Sequence, residues 1–73
     1  MSNPDIRRLQ ELLANDKTLY PEGIVSGFFG ALTEKAVGRF QEKYGVAFSG
    51  DAGYGFVGPK TRAKLSEVFT VPQ

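Results

Sequence analysis

The side chains of this 73-residue chain that could do chemistry fall into three groups. Glu34, Glu42 and Glu67 are carboxylates within helical patterns. Lys35, Arg39 and Lys43 form a cationic run at i, i+4 and i+8, and Lys60 and Lys64 repeat that spacing. Aromatic residues, among them Tyr20, Phe28, Phe48, Tyr54 and Phe56, stand in segments rich in glycine. Each group implies a different chemistry. Paired carboxylates can act as acid and base on a glycosidic bond when held ~5–9 Å apart across a cleft. The three glutamates lie on helix faces expected to be exposed, and a chain this short leaves little room for a cleft. There is no His and no Cys, so the commonest general base, the commonest metal ligand and any thiolate nucleophile are absent. No catalytic residue, metal site or cofactor is expected.

The cations admit two readings. They are either solvated faces of surface helices or contacts for an anionic polymer or for carboxylates. A helix-turn-helix DNA binder is disfavoured, because the net charge is only +1 with both signs interspersed, and nucleic-acid binders carry a concentrated basic footprint. No apolar run approaches the ~18 residues of a membrane span. The start Met1-Ser2-Asn3-Pro4 carries no hydrophobic signal segment. The chain is expected to be either cytosolic or a domain cut from a longer exported protein.

The aromatics sit in a repeated phrase. Gly27-Phe28-Phe29-Gly30-Ala31-Leu32-Thr33 returns 28 positions later as Gly55-Phe56-Val57-Gly58-Pro59-Lys60-Thr61. At a different offset, Ile6-Arg7-Arg8-Leu9-Gln10-Glu11 is echoed by Val37-Gly38-Arg39-Phe40-Gln41-Glu42. The chain therefore uses one short unit twice, helix to glycine-rich loop to helix. In each phrase the two glycines bracket two apolar residues ahead of a helix. Gly suits a tight turn into the helix because it tolerates φ > 0. Pro59 fits a first helical position, where its missing N–H has no partner to lose. Gly30 and Gly58 then read as N-caps, with Thr61 reaching back to its cap. The loops are either folding hardware or also the lining of a ligand groove.

Three helices must position these loops. The first opens at Asn3-Pro4, with Asp5 in its first turn, and stops near Asn15-Asp16; Ile6, Leu9, Leu12 and Leu13 form its stripe. The second runs from about Ala31 to Tyr44, with Ala36, Val37, Phe40 and Tyr44 inward and Gly45-Val46 as its terminating pair. The third runs from about Pro59 to Phe69, with Thr61, Leu65, Val68 and Phe69 inward. Val71-Pro72-Gln73 reads as a frayed end or linker stub. The pattern predicts an all-α fold, a small orthogonal three-helix bundle with two long Gly-rich loops, folding as one domain over 1–73 with a core of about 4–69. Tyr20-Pro21-Glu22-Gly23 is a turn in the first loop. Leu19, Ile24, Phe28, Phe29, Phe56 and Val57 are expected to anchor the loops on the helices, leaving Tyr20, Phe48 and Tyr54 as surplus exposed aromatics. Gln10 and Gln41 each follow a core residue, and their carboxamides are suited to satisfying loop backbone groups that have no ladder partners; direct ligand contact is the other reading.

The order of these parts resembles the peptidoglycan-binding-like domain, a three-helix module attached to many cell-wall hydrolases. Leu9-Gln10 fits that family's first helix, Gly27 to Thr33 its first loop, Ala36-Val37-Gly38-Arg39-Phe40-Gln41 its second helix, and Gly55 to Thr61 its second loop. Two departures stand out: Ser26 and Tyr54 replace an Asp before each loop glycine, and the second loop is longer through Ala47 to Gly53. The resemblance implies a non-catalytic module that binds peptidoglycan or a muropeptide as a monomer. It would hold an attached enzyme or envelope protein at the cell wall or in the periplasm. The alternative is a protein–protein interaction or scaffold module on the same fold without glycan binding. Candidate ligand-binding residues are Tyr20, Phe28, Tyr54, Lys60 and Arg62.

Overall fold

A computed structural model describes residues 4–69 and contains three helices: α1 (Pro4–Ala14), α2 (Ala31–Lys43) and α3 (Pro59–Val68). No strand occurs among the described residues. The fold is all-α, a small three-helix bundle. The expected cap Asn3 and the terminal Val71-Pro72-Gln73 lie outside the described residues.

The apolar stripes meet in one core of Leu9 and Leu13 from α1, Ala36, Val37 and Phe40 from α2, Leu65 from α3, and Leu19 and Tyr20 from the first loop. Phe40 is its centre, fully buried, with the Tyr44 ring 4.9 Å away and the Phe69 ring 5.9 Å away. Burial of such side chains contributes roughly 1.5–3 kcal/mol each.

The helix ends follow local chemistry. Gly45, at φ 70°, ends α2, and the Val46 N–H donates to the Gln41 carbonyl at 2.8 Å, the bond that closes a left-handed terminus. Pro59 takes the first turn of α3. Gly30 and Gly58 are the N-caps of α2 and α3, as expected. Gly30 (φ −109°) and Gly58 (φ −96°) are extended, and no side chain caps either helix. Thr61 does not reach back to its cap; its hydroxyl is turned to Gln41. The left-handed conformation belongs instead to the other glycine of each phrase. Gly27 and Gly55 both have φ 81°, a backbone that L side chains rarely adopt.

Candidate functional site

Each loop is held to the bundle by one buried glutamine. Gln10 is 1% exposed. Its Oε1 accepts the N–H groups of Ser26 and Gly27, both at 2.9 Å, and its Nε2 donates to the Phe28 carbonyl and to Thr33 Oγ1, both at 3.0 Å. Gln41, equally buried, repeats the arrangement. Its Oε1 accepts the Gly55 N–H at 2.7 Å, and its Nε2 is shared among the carbonyls of Phe56 (2.9 Å) and Gly53 (3.0 Å) and Thr61 Oγ1 (3.0 Å). Gly27, Phe28 and Thr33 thus match Gly55, Phe56 and Thr61, the same three places in the repeated phrase. A carboxamide does this because it carries two donor hydrogens and an acceptor with two lone pairs. The glutamines are structural braces, and no buried side-chain polar atom among the described residues is left without a partner.

Pinning the Phe28 and Phe56 carbonyls inward sets where the rings go. Phe29 and Val57 pack against the core, while Phe28 and Phe56 stand 68% and 61% exposed. The expectation that all the loop apolar residues anchor inward is corrected on this point: only the second of each pair does, and Ile24 is exposed too. Tyr20 is corrected in the opposite sense. It is buried in the core, and its hydroxyl donates to the Ile24 carbonyl at 2.6 Å. Its ring therefore has no open face for a ligand. Phe48 is exposed. Tyr54 is half-buried against Gly38 of α2, so close that a Cβ on Gly38 would lie 2.7 Å from the ring. This burial, with the nearby Glu42 carboxylate, pushes the Tyr54 phenol above its usual pKa.

The cationic run is only partly available. Arg39 Nη1 donates to the Leu19 carbonyl at 3.0 Å, and Lys43 Nζ pairs with Asp16 at 2.6 Å. Lys43, together with the Thr18 hydroxyl and N–H, lowers the Asp16 pKa to about 2. These two cations hold the start of the first loop against α2. Lys64 pairs with Glu67 one turn along α3.

Two hollows open beside the loops. The larger, about 500 Å³, has a floor of Ile6, Leu9, Leu12, Val57 and Leu65, with Phe29 and Phe56 at the loop end. Arg8 and Asp5 stand on its α1 side, and Arg62 and Ser66 on its α3 side. Asp5 and Ser66 have contacts of their own, whereas neither guanidinium makes a hydrogen bond or ion pair among the described residues. The smaller hollow, about 240 Å³, is bordered by Tyr20, Ile24, Ser26, Phe28 and the first turn of α2. The candidate residues are therefore divided. Arg62 lies on the larger groove, Tyr20 and Phe28 on the smaller, and Tyr54 and Lys60 on neither. Sequence reasoning missed Phe56 as an exposed ring and Arg8 altogether. The signal for Arg8 was its place beside Ile6, Leu9 and Leu12, a stripe wider than the core could cover.

A family model with the description "Putative peptidoglycan binding domain" matches residues 2–65. No curated protein and no solved structure matches the chain.

Proposed function

Because the chain belongs to this family of peptidoglycan-binding domains, matched over residues 2–65, we propose that it is a non-catalytic wall-binding module, working at the cell wall or in the periplasm. It holds an attached enzyme or envelope protein near its polymeric substrate and raises local concentration, an effect of tethering rather than of bond chemistry. The carrying observation is the family match along nearly the whole chain. It is supported by loops rigidly braced at matched places, which present two phenyl rings outward at fixed positions. Of the residues proposed to meet the ligand, Phe28 and Arg62 remain the strongest, joined now by Phe56; Lys60 is exposed in the first turn of α3 but borders neither hollow. Tyr54 contributes at most one edge of its ring, and Tyr20 supports the loop from within.

Retention of the purified chain on insoluble peptidoglycan tests this. The expected outcome is sedimentation with the wall at low salt, without release of soluble sugar or peptide. A second reading has its own observation. Ile24, Phe28 and Leu32 are 51%, 68% and 41% exposed around the smaller hollow, and clustered exposed apolar surface marks protein contacts as well as ligand sites. Failure of retention on every wall preparation would leave a protein-interaction module as the function.

A further inference from the structure

We propose that the groove between α1 and α3 takes the peptide arm of the wall polymer, a short peptide of small apolar residues with free carboxylates, and not its sugar strand. This rests on the wall-binding reading above. The floor of the groove is aliphatic, from Ile6, Leu9, Leu12, Val57 and Leu65. A sugar ring needs a flat aromatic face and many hydrogen-bond partners for its hydroxyls. The groove offers neither along its length: its phenyl rings stand only at the loop end, and its polar side chains stand on the rim and not on the floor. Methyl groups of alanine-sized residues, by contrast, gain by leaving water for such a floor.

The charge on the rim completes the match. Arg8 and Arg62 face the groove from opposite helices, and neither guanidinium has a partner among the described residues. A guanidinium presents a planar fork of donors that fits a carboxylate with two parallel hydrogen bonds. The chain as a whole carries only +1, so the attraction is local to these two side chains. Asp5 on the same rim repels a further carboxylate on its side and limits how much negative charge the site accepts. A volume of about 500 Å³ lies within the ~300–1,000 Å³ of small-ligand sites, room for a few small residues.

Nuclear magnetic resonance titration of the whole chain with three probes is the test. The probes are a synthetic stem peptide ending in a free D-alanine carboxylate, the same peptide with all carboxylates amidated, and peptide-free glycan strands. The free-acid peptide is expected to shift the amides of Leu9, Val57, Arg62 and Leu65. Amidation should weaken that binding by at least about tenfold, as should R8Q or R62Q, the size of one charge-assisted hydrogen bond. Both arginines are exposed, so the variants should melt with the parent, which separates lost binding from lost fold. Retention on intact wall combined with a response to glycan strands alone overturns the peptide assignment, and equal binding of free and amidated peptide overturns the carboxylate match at Arg8 and Arg62; both leave wall binding standing. No response to any probe and no retention on intact wall overturns both.

Discussion

The two halves of the molecule solve one problem with the same residue and differ in everything around it. Both long loops must satisfy backbone groups that no helix or sheet covers, and in each a buried glutamine does so. Beyond that they part. In the first loop Ser26 Oγ accepts the Phe28 N–H at 3.1 Å, a short-range brace in place of the carboxylate that the family pattern puts there. In the second loop the matched residue is Tyr54, whose side chain packs on Gly38 instead. That loop is braced from within, where Asp51 accepts the Phe48 N–H at 2.8 Å and returns its own N–H to the Phe48 carbonyl at 2.9 Å. The comparison teaches that the glutamine and the left-handed glycine are the invariant needs of the repeated unit. The residue before that glycine is free to vary because another contact can take over.

The strongest way to break the comparison is to remove each glutamine. Gln10→Leu orphans two N–H groups and one carbonyl, whereas Gln41→Leu orphans one N–H group and the Phe56 carbonyl, because the Gly53 carbonyl keeps the Phe56 N–H. Orphaned N–H groups are tolerated less well than carbonyls, which have two lone pairs. Each change should cost about 3–5 kcal/mol, with Gln10→Leu the worse. Since a domain of this size holds only ~3–5 kcal/mol from its core, far-UV circular dichroism should find Gln10→Leu largely unfolded at 25 °C. Equal denaturation midpoints near the parent's would refute the shared-brace account.

The glycines test the next level. Gly55→Ala places a Cβ at φ 81° and 3.0 Å from Glu34 Cγ. It should lose about 1–3 kcal/mol of stability. Gly58→Ala meets open space at φ −96° and should stay within about 0.5 kcal/mol of the parent. Urea denaturation reads both; a larger loss at Gly58 would return the conformational demand to the cap.

Tyr54 and Gly38 sharpen what distinguishes the second loop. With Tyr54 in place, Gly38→Ala overpacks the ring contact and should destabilise by about 1–2 kcal/mol. In a Tyr54→Ala background the same change should stabilise by up to ~1 kcal/mol, because alanine is the better helix former. A double-mutant cycle that shows no change of sign would mean the ring is not what requires glycine there.

The smallest effect concerns the ion pair that ties the first loop to α2. The Asp16 carboxyl is lowered from 3.8 to about 2. A depressed folded-state pKa gives stability that is present above pH 3.8 and lost as pH falls towards about 2. Carbon-13 titration of the Asp16 carboxyl should show its midpoint near 2, and Lys43→Met should raise that midpoint towards 3.8 without abolishing the shift, since Thr18 still donates twice. An unchanged midpoint in Lys43→Met would place the cause in Thr18 alone.

The three helices were legible in the sequence, to within one or two residues at their ends, because apolar spacing, Pro59 and the Gly45-Val46 terminus act over a few neighbouring residues. It also pointed Gln10 and Gln41 to the loops, because a polar residue within an apolar stripe must find partners when buried, but the choice between loop brace and ligand contact came from the folded chain. The sequence determined the family through the order of its motifs. Only the tertiary structure decided which of two adjacent apolar residues faces out. Phe28 and Phe29 are equivalent in composition, and the choice follows from where Gln10 pulls the Phe28 carbonyl. It likewise buried Tyr20 and tied the exposed Arg39 and Lys43 to the Leu19 carbonyl and Asp16. It set Arg8 across a groove from Arg62, although 54 positions separate them in the chain. Such pairings depend on distances between segments far apart in sequence, and those distances exist only once the core has closed.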